Sequence, residues 1–199
     1  MGTIEANPPI PESAELPSIS RFTPEAKEGL ERKGFLVYTL MGKSIASLRE
    51  AGLKFWNLWD TSELLDQVPS IRSEVAMDPV NFYLPGSNFK SLDNQKAQIA
   101  EYASEISKQV PGVTAIMGSV PDYAELAILH LAATGFRPEL YTGPYNGTTT
   151  HRDIFNIVIS RGIYHDSVGL CFQHEPILSA FGESFVWAAP LIVPSRKKI

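Results

Sequence analysis

The sequence has 199 residues, of which 44% are hydrophobic and 20% are charged, and its formal net charge is -5. These values are typical of a globular protein that buries one self-sufficient core. They argue against a nucleic-acid-binding protein, because phosphate contacts need a basic surface and the one dense basic run is the last five residues, "SRKKI".

The single cysteine, Cys171, excludes an intrachain disulfide and favours a reducing compartment. The first 20 residues have neither a basic start nor an apolar run, so they are not expected to be a signal peptide. No window approaches the roughly 18 apolar residues that a membrane helix needs. We therefore expect a cytoplasmic protein with no membrane and no nucleic-acid partner.

Residues 1–21 are rich in proline and lack apolar periodicity, which predicts a flexible leader before a single globular domain over 22–199. The domain begins with a helix from Pro24, with Thr23 as its N-cap and Gly34 after its end. A strand is predicted over 35–41 and a short helix over 44–51, followed by an aromatic segment, 53–60, that suits a strand.

Prolines at 69, 79 and 85 interrupt the next segment, in which we predict only a short strand near 80–84. Apolar residues at helical spacing then predict a helix from Ser91 to Val110. A buried strand over 113–118 leads into a second strong helix. Ser119 and Asp122 form its S-x-x-D capping pattern, and Gly135 ends it.

The last third of the chain is predicted to consist mainly of strands. Segments 155–160 and 168–173 predict an antiparallel hairpin, and 185–193 predicts a further strand that Pro190 confines to a sheet edge or a bulge. Together these elements predict one α/β or α+β domain. It has a mixed β-sheet with helices packed on it, and an antiparallel hairpin and an edge strand in the C-terminal third.

The tripeptide Gly42-Lys43-Ser44 suggests a phosphate-binding loop, but the full motif is absent. Counting back from Gly42 places the first glycine of that motif at Val37, inside the predicted strand. The preferred interpretation is a tight strand-to-helix turn at Gly42, a solvated Lys43 and a helix N-cap at Ser44. No G-x-S-x-G motif and no complete kinase motif occurs either.

Two histidines with neighbouring carboxylates are the candidates for chemistry: His151 with Asp153, and His174 with Glu175. The predicted hairpin brings both to one end, where they would form an acid–base pair or a two-histidine metal site. His165 lies at the other end. His130, within the strong helix, is interpreted as a packed histidine.

The polar segment 139–153 supplies candidate ligand-binding residues, although turn chemistry explains most of them. With Ser119 at a helix N-terminus, the candidates are Tyr145, Thr148, Thr149 and Arg152. Asp122 and Glu125 lie in the first turns of that helix. By default they complement its dipole, and otherwise they line a pocket between the helix and the 142–152 loop.

The aromatic residues Trp56, Trp59, Phe82 and Tyr83 are expected to anchor the core, with an exposed ligand or partner surface as the alternative. No known family is recognised in the sequence, and no cofactor or partner can be named. We expect a non-catalytic binding or interaction module, with a small anionic ligand as one possibility. The alternative is a small metal-assisted or acid–base enzyme that uses the histidine and carboxylate pairs.

Overall fold

The computed structural model describes residues 18–52, 55–57, 68–88, 90–135, 147–150, 157–159, 170–172 and 186–195. The helices in these ranges are α1 (Pro24–Arg32), α2 (Ile45–Glu50), α3 (Leu92–Gln109) and α4 (Val120–Thr134). The strands are β1 (Leu36–Met41), β2 (Phe55–Asn57), β3 (Arg72–Met77), β4 (Val113–Met117), β5 (Gly147–Thr150), β6 (Ile157–Ile159), β7 (Leu170–Phe172), β8 (Val186–Trp187) and β9 (Pro190–Pro194).

The helices begin and end where their local signals predicted. The Thr23 side chain accepts a hydrogen bond from the Ala26 N–H at the start of α1, and Ser91 caps α3 in the same way. Gly135 ends α4 in the left-handed conformation, with φ of 69°. These ends are determined by residues close in sequence, which is why the sequence located them.

The main sheet in the described part of the chain has the strand order β1-β3-β9-β4, and each neighbouring pair is antiparallel. Helices cover both of its faces, so the fold belongs to the predicted mixed helix–sheet class. Side chains alternate between the faces, as the pleat requires. In β9, Leu191 and Val193 join one core cluster and Ile192 joins the other.

Each face has its own hydrophobic core. The first core packs α2 and α4 on the sheet, and its largest fully buried side chains include Tyr123, Leu126 and Leu191. The second packs α1 and α3 on the opposite face, with Leu30 and Ile192 fully buried. One sheet shared by two cores is consistent with the predicted single domain.

The pairing of the C-terminal strands differs from the predicted hairpin. The antiparallel pair is β5 with β6, whereas β7 pairs in parallel with β2. In the described parts of the two predicted strands, 157–159 and 170–172, each pairs with a different strand from the one predicted, while an antiparallel pair in the C-terminal third is present as β5 with β6. Adjacency in sequence favoured that hairpin, but β7 is paired with a strand more than 110 residues earlier, which local patterns do not reveal.

The strand predicted over 185–193 is divided. β8 lies at the edge of a three-stranded sheet, order β6-β5-β8, while β9 lies inside the main sheet between β3 and β4. Pro190 was expected to confine the run to a sheet edge or a bulge. Instead it is the first residue of β9, one of the few sheet positions that a proline tolerates.

The central strand β3 was not predicted, and the strand expected near 80–84 does not form. β3 lacks an apolar pattern in the sequence because it contains two polar residues, Ser73 and Glu74. Both are nevertheless buried. The Glu74 carboxylate accepts the Phe22 N–H at 2.8 Å and lies 3.5 Å from the Arg21 guanidinium. Ser20 also pairs with Ser73, so the end of the predicted leader is attached to the sheet.

The structure describes the side chains of two of the four aromatic residues that were expected to anchor the core. Phe82 is buried in the first core and Tyr83 is partly buried against it. Trp59 lies outside the described residues, and the side chain of Trp56 is not described.

The Tyr123 hydroxyl joins α4 to the sheet and yields a stability prediction. It accepts the Gly118 N–H at 3.1 Å and donates to the Ala189 carbonyl at 2.5 Å, in a fully buried position. Tyr123→Phe leaves both backbone groups unpaired, so we expect it to lower the unfolding free energy by about 1–3 kcal/mol. Urea denaturation measures the change. Tyr102→Phe is the control and should change stability by less than about 0.5 kcal/mol. Equal effects of the two substitutions would contradict this account.

Candidate ligand-binding groove

Asp122, in the first turn of α4, is almost completely buried and fully hydrogen-bonded. One carboxylate oxygen accepts the Ile71 N–H at 2.7 Å. The other accepts the Ser119 N–H at 2.6 Å and the Ser119 hydroxyl at 2.7 Å. Asp122 therefore caps its own helix, as the S-x-x-D pattern predicted, and also holds the segment that leads into β3.

Burial raises the pKa of Asp122 above its ordinary value, although the hydrogen bonds from Ser119 and Ile71 act in the opposite direction. Taking a carboxylate out of water disfavours the charged form, and donors to the carboxylate favour it.

Glu125, one helical turn further along, binds two other segments. Its carboxylate accepts the N–H of Met41, the last residue of β1, at 3.0 Å and that of Lys43, in the turn between β1 and α2, at 3.4 Å. It also accepts the Ser70 hydroxyl at 2.5 Å. Glu125 is only 2% exposed, so its carboxylate is not a solvated charge on a helix surface. It links α4 to two segments that are distant from it in sequence.

His130 is a structural residue, as predicted. It is buried on α4, and its Nδ1 atom lies 2.7 Å from the Tyr38 hydroxyl on β1. Burial lowers the pKa of His130 and raises the pKa of Tyr38, so both groups favour their neutral forms.

The β1–α2 turn has the predicted geometry, and the Arg72 side chain packs against it. Gly42 has φ of +79°, Ser44 accepts the Ser47 N–H as helix N-cap, and Lys43 is exposed. The Arg72 side chain lies across Gly42, where an added Cβ atom would be 2.8 Å from Arg72 Cγ. Its guanidinium donates to the Met41 carbonyl at 2.7 Å.

These segments form one wall of a groove with a volume of about 790 Å³, within the range of small-molecule sites. The other wall is the sheet surface of β4 and the end of β9. The lining residues are Ser18, Ser20, Gly42, Pro69, Ser70, Ile71, Arg72, Ser73, Thr114, Ile116, Val193 and Pro194. Among these described residues, Arg72 is the one with a charged side chain.

The lining of the groove combines apolar side chains with hydroxyl groups. Ile71, Ile116 and Val193 supply the apolar surface. The Ser70 hydroxyl donates a hydrogen bond to the Glu125 carboxylate, and the Ser73 hydroxyl donates one to the Glu74 carbonyl at 2.7 Å. A serine hydroxyl has one proton, so both oxygens offer lone pairs rather than a donor to a groove ligand.

A second, smaller pocket of about 330 Å³ lies between α3 and the segment that follows β3. Asp78, Glu101 and Glu105 line it together with Tyr102. Burial, followed by the charges of Asp78 and Glu105, raises the pKa of Tyr102 to about 12. Both glutamates are exposed, so solvent screens this acidic cluster.

Of the four histidine and carboxylate candidates for chemistry and the five candidate ligand-binding residues, Ser119 is the one whose side chain is described, and its hydroxyl is bonded to Asp122. Thr148 and Thr149 lie in β5, where their side chains are not described. The others lie outside the described residues, and their roles stay predictions: His151, Asp153, His174, Glu175, Tyr145 and Arg152.

Within the described ranges, no group of three or more histidine, cysteine, aspartate and glutamate side chains is placed to hold a metal ion. None of the helices in those ranges combines the length and the apolar character needed to cross a bilayer. Sequence reasoning missed both the groove and Arg72, because the lining residues come from five separate segments and share no motif.

No protein-family model, no curated protein and no solved structure matches this chain.

The contact between Gly42 and Arg72 yields a prediction with a matched control. Gly42→Ala forces an unfavourable left-handed backbone and also displaces Arg72. Gly52→Ala meets only the backbone cost, because Gly52 has φ of +88° and no atom within 4 Å of an added Cβ. We expect Gly52→Ala to lower the unfolding free energy by about 1–2 kcal/mol and Gly42→Ala by at least about 1 kcal/mol more. Urea denaturation compares them, and equal losses would contradict the packing of Arg72 on Gly42.

Proposed function

We propose that this protein is a non-catalytic binding module whose groove holds a small ligand with an apolar body and an anionic group. The observation that carries the proposal is the groove itself: its volume is about 790 Å³, and its lining combines apolar side chains with one guanidinium, that of Arg72. A pocket of this kind, apolar with a few convergent polar groups, is typical of small-molecule sites.

Arg72 favours an anionic ligand. A guanidinium presents five N–H donors and binds carboxylates with two parallel hydrogen bonds. The Arg72 guanidinium donates to the Met41 carbonyl, and the proposal is that it also donates to the ligand carboxylate. The ligand class predicted from the sequence thus has a second supporting feature, at a different place from the helix N-terminus first considered.

The carboxylates near the groove support binding rather than catalysis. Asp122 and Glu125 accept hydrogen bonds from backbone groups and from serine hydroxyls, and through these bonds they fix the surrounding backbone. A general base must instead reach a proton of the substrate. A cytoplasmic location remains part of the proposal, and it rests on the single cysteine.

Isothermal titration with three eight-carbon compounds tests this function. Octanoate, 1-octanol and octylamine share an apolar chain and differ in the charge of the head group. We expect octanoate to bind at least about tenfold more tightly than 1-octanol, because a charge-assisted hydrogen bond contributes about 1.5–3 kcal/mol. Octylamine should bind most weakly, since its charge has the same sign as that of Arg72.

Two tryptophan variants locate the site. Thr114→Trp places an indole in the groove and should abolish octanoate binding. Val80→Trp adds the same group at a position that is 73% exposed and outside the groove lining, so it should leave the affinity unchanged. Absence of binding by all three compounds, or full binding by Thr114→Trp, would refute the proposal.

A further inference from the structure

The end of the predicted leader, residues 1–21, is attached at the groove. Ser18 and Ser20 are among the lining residues, and Ser20 forms a parallel bridge with Ser73. The Ser20 N–H donates to the Arg72 carbonyl at 3.0 Å, and the Ser20 carbonyl accepts the Glu74 N–H at 2.7 Å. Because the bridge is parallel, the chain before Ser20 runs back along the start of β3, which forms one wall of the groove.

The described end of the leader indicates which side chain comes next to the groove. Ser18 and Ser20 line the groove, whereas Ile19 between them is not among the lining residues. This is the alternation of an extended chain, in which every second side chain shares a face. Pro17 restricts Leu16 to extended backbone as well. The same alternation therefore directs Leu16 toward the apolar lining.

The charges of the leader and of the groove are complementary. Residues 1–17, which precede the described part of the chain, contain three glutamates, Glu5, Glu12 and Glu15, and no lysine or arginine. Among the described lining residues, the one charged side chain is the cation Arg72. Glu15 is three residues before Ser18, a span of at most about 10 Å in an extended chain. The segment before Ser18 thus carries the apolar and anionic groups that suit this groove.

We propose that residues 12–17 occupy the groove of their own chain, with Leu16 on the apolar lining and the glutamates of the segment near Arg72. An external ligand must then displace the leader before it binds. The effect on ligand affinity rests on the proposed function. The docking itself rests on the attachment, the alternation and the charges, so the two can be tested separately.

The attachment at Ser20 makes docking an intramolecular step. A segment held by a short linker has an effective concentration in the millimolar range, so weak contacts are enough to keep it in place. The same weak contacts leave it displaceable. The apparent dissociation constant of an external ligand increases in proportion as the fraction of chains with an open groove decreases.

Limited proteolysis with a glutamate-specific protease tests the docking without any ligand. The initial rates of release of peptides 1–5 and 1–15, measured by mass spectrometry, report cleavage after Glu5 and after Glu15. We expect cleavage after Glu15 to be at least about tenfold slower, because cleavage follows the population of the undocked form. Thr114→Trp fills the groove and should accelerate cleavage after Glu15 at least about fivefold. Val80→Trp, outside the groove lining, should leave it unchanged.

Three results would overturn the docking. The first is equal rates after Glu5 and Glu15 in the native protein, and the second is equal effects of the two tryptophan variants. The third is protection of Glu15 that decreases on hundredfold dilution, which would assign the groove to the leader of a second copy.

Isothermal titration with octanoate tests the displacement. Leu16→Ser removes the apolar anchor and should raise the affinity for octanoate at least about threefold. Ile4→Ser makes the same change outside the docked segment and should leave the affinity unchanged. If Glu15 is protected but Leu16→Ser has no effect, the displacement is wrong. If octanoate binds neither the native protein nor Leu16→Ser, the proposed function fails, and the proteolysis still decides the docking.

Discussion

The arrangement of this protein around its groove depends on two buried carboxylates in the first turns of one helix. Asp122 and Glu125 each lie 2% exposed, where an unpaired charge would be very costly. Their oxygens are satisfied by groups from the β1–α2 turn and from the segment before β3, which are far apart in sequence. The cost of burial thus fixes the position of these segments, because moving either one removes hydrogen bonds from a buried carboxylate.

This constraint connects the first core to the groove. Tyr123, between the two carboxylates in sequence, anchors α4 to the sheet through the Ala189 carbonyl. The helix is therefore fixed on its apolar side by packing and at its N-terminal end by hydrogen bonds. Gly42 completes the wall, because its lack of a side chain lets Arg72 lie across the turn. A ligand that enters the groove contacts backbone that α4 already holds in place.

The sequence predicted those parts of the fold that depend on neighbouring residues. Thr23, Ser44 and Gly135 act at helix ends within a few residues of themselves. It did not predict β3, because buried Glu74 is satisfied by the Phe22 N–H, 52 residues earlier. The groove was missed for the same reason: Asp122 and Glu125 are ordinary helix-start carboxylates in the sequence, and only tertiary structure brings their partners to them.

A double-mutant cycle between Ser70→Ala and Glu125→Gln is the most direct measurement of the central claim, that the α4 carboxylates hold the groove wall by specific hydrogen bonds. The two side chains meet at 2.5 Å in a buried site. Urea denaturation of the native protein, both single variants and the double variant gives the coupling energy. We predict a coupling of at least about 1 kcal/mol, as for contacting buried groups. Additive effects, within about 0.3 kcal/mol, would contradict the account.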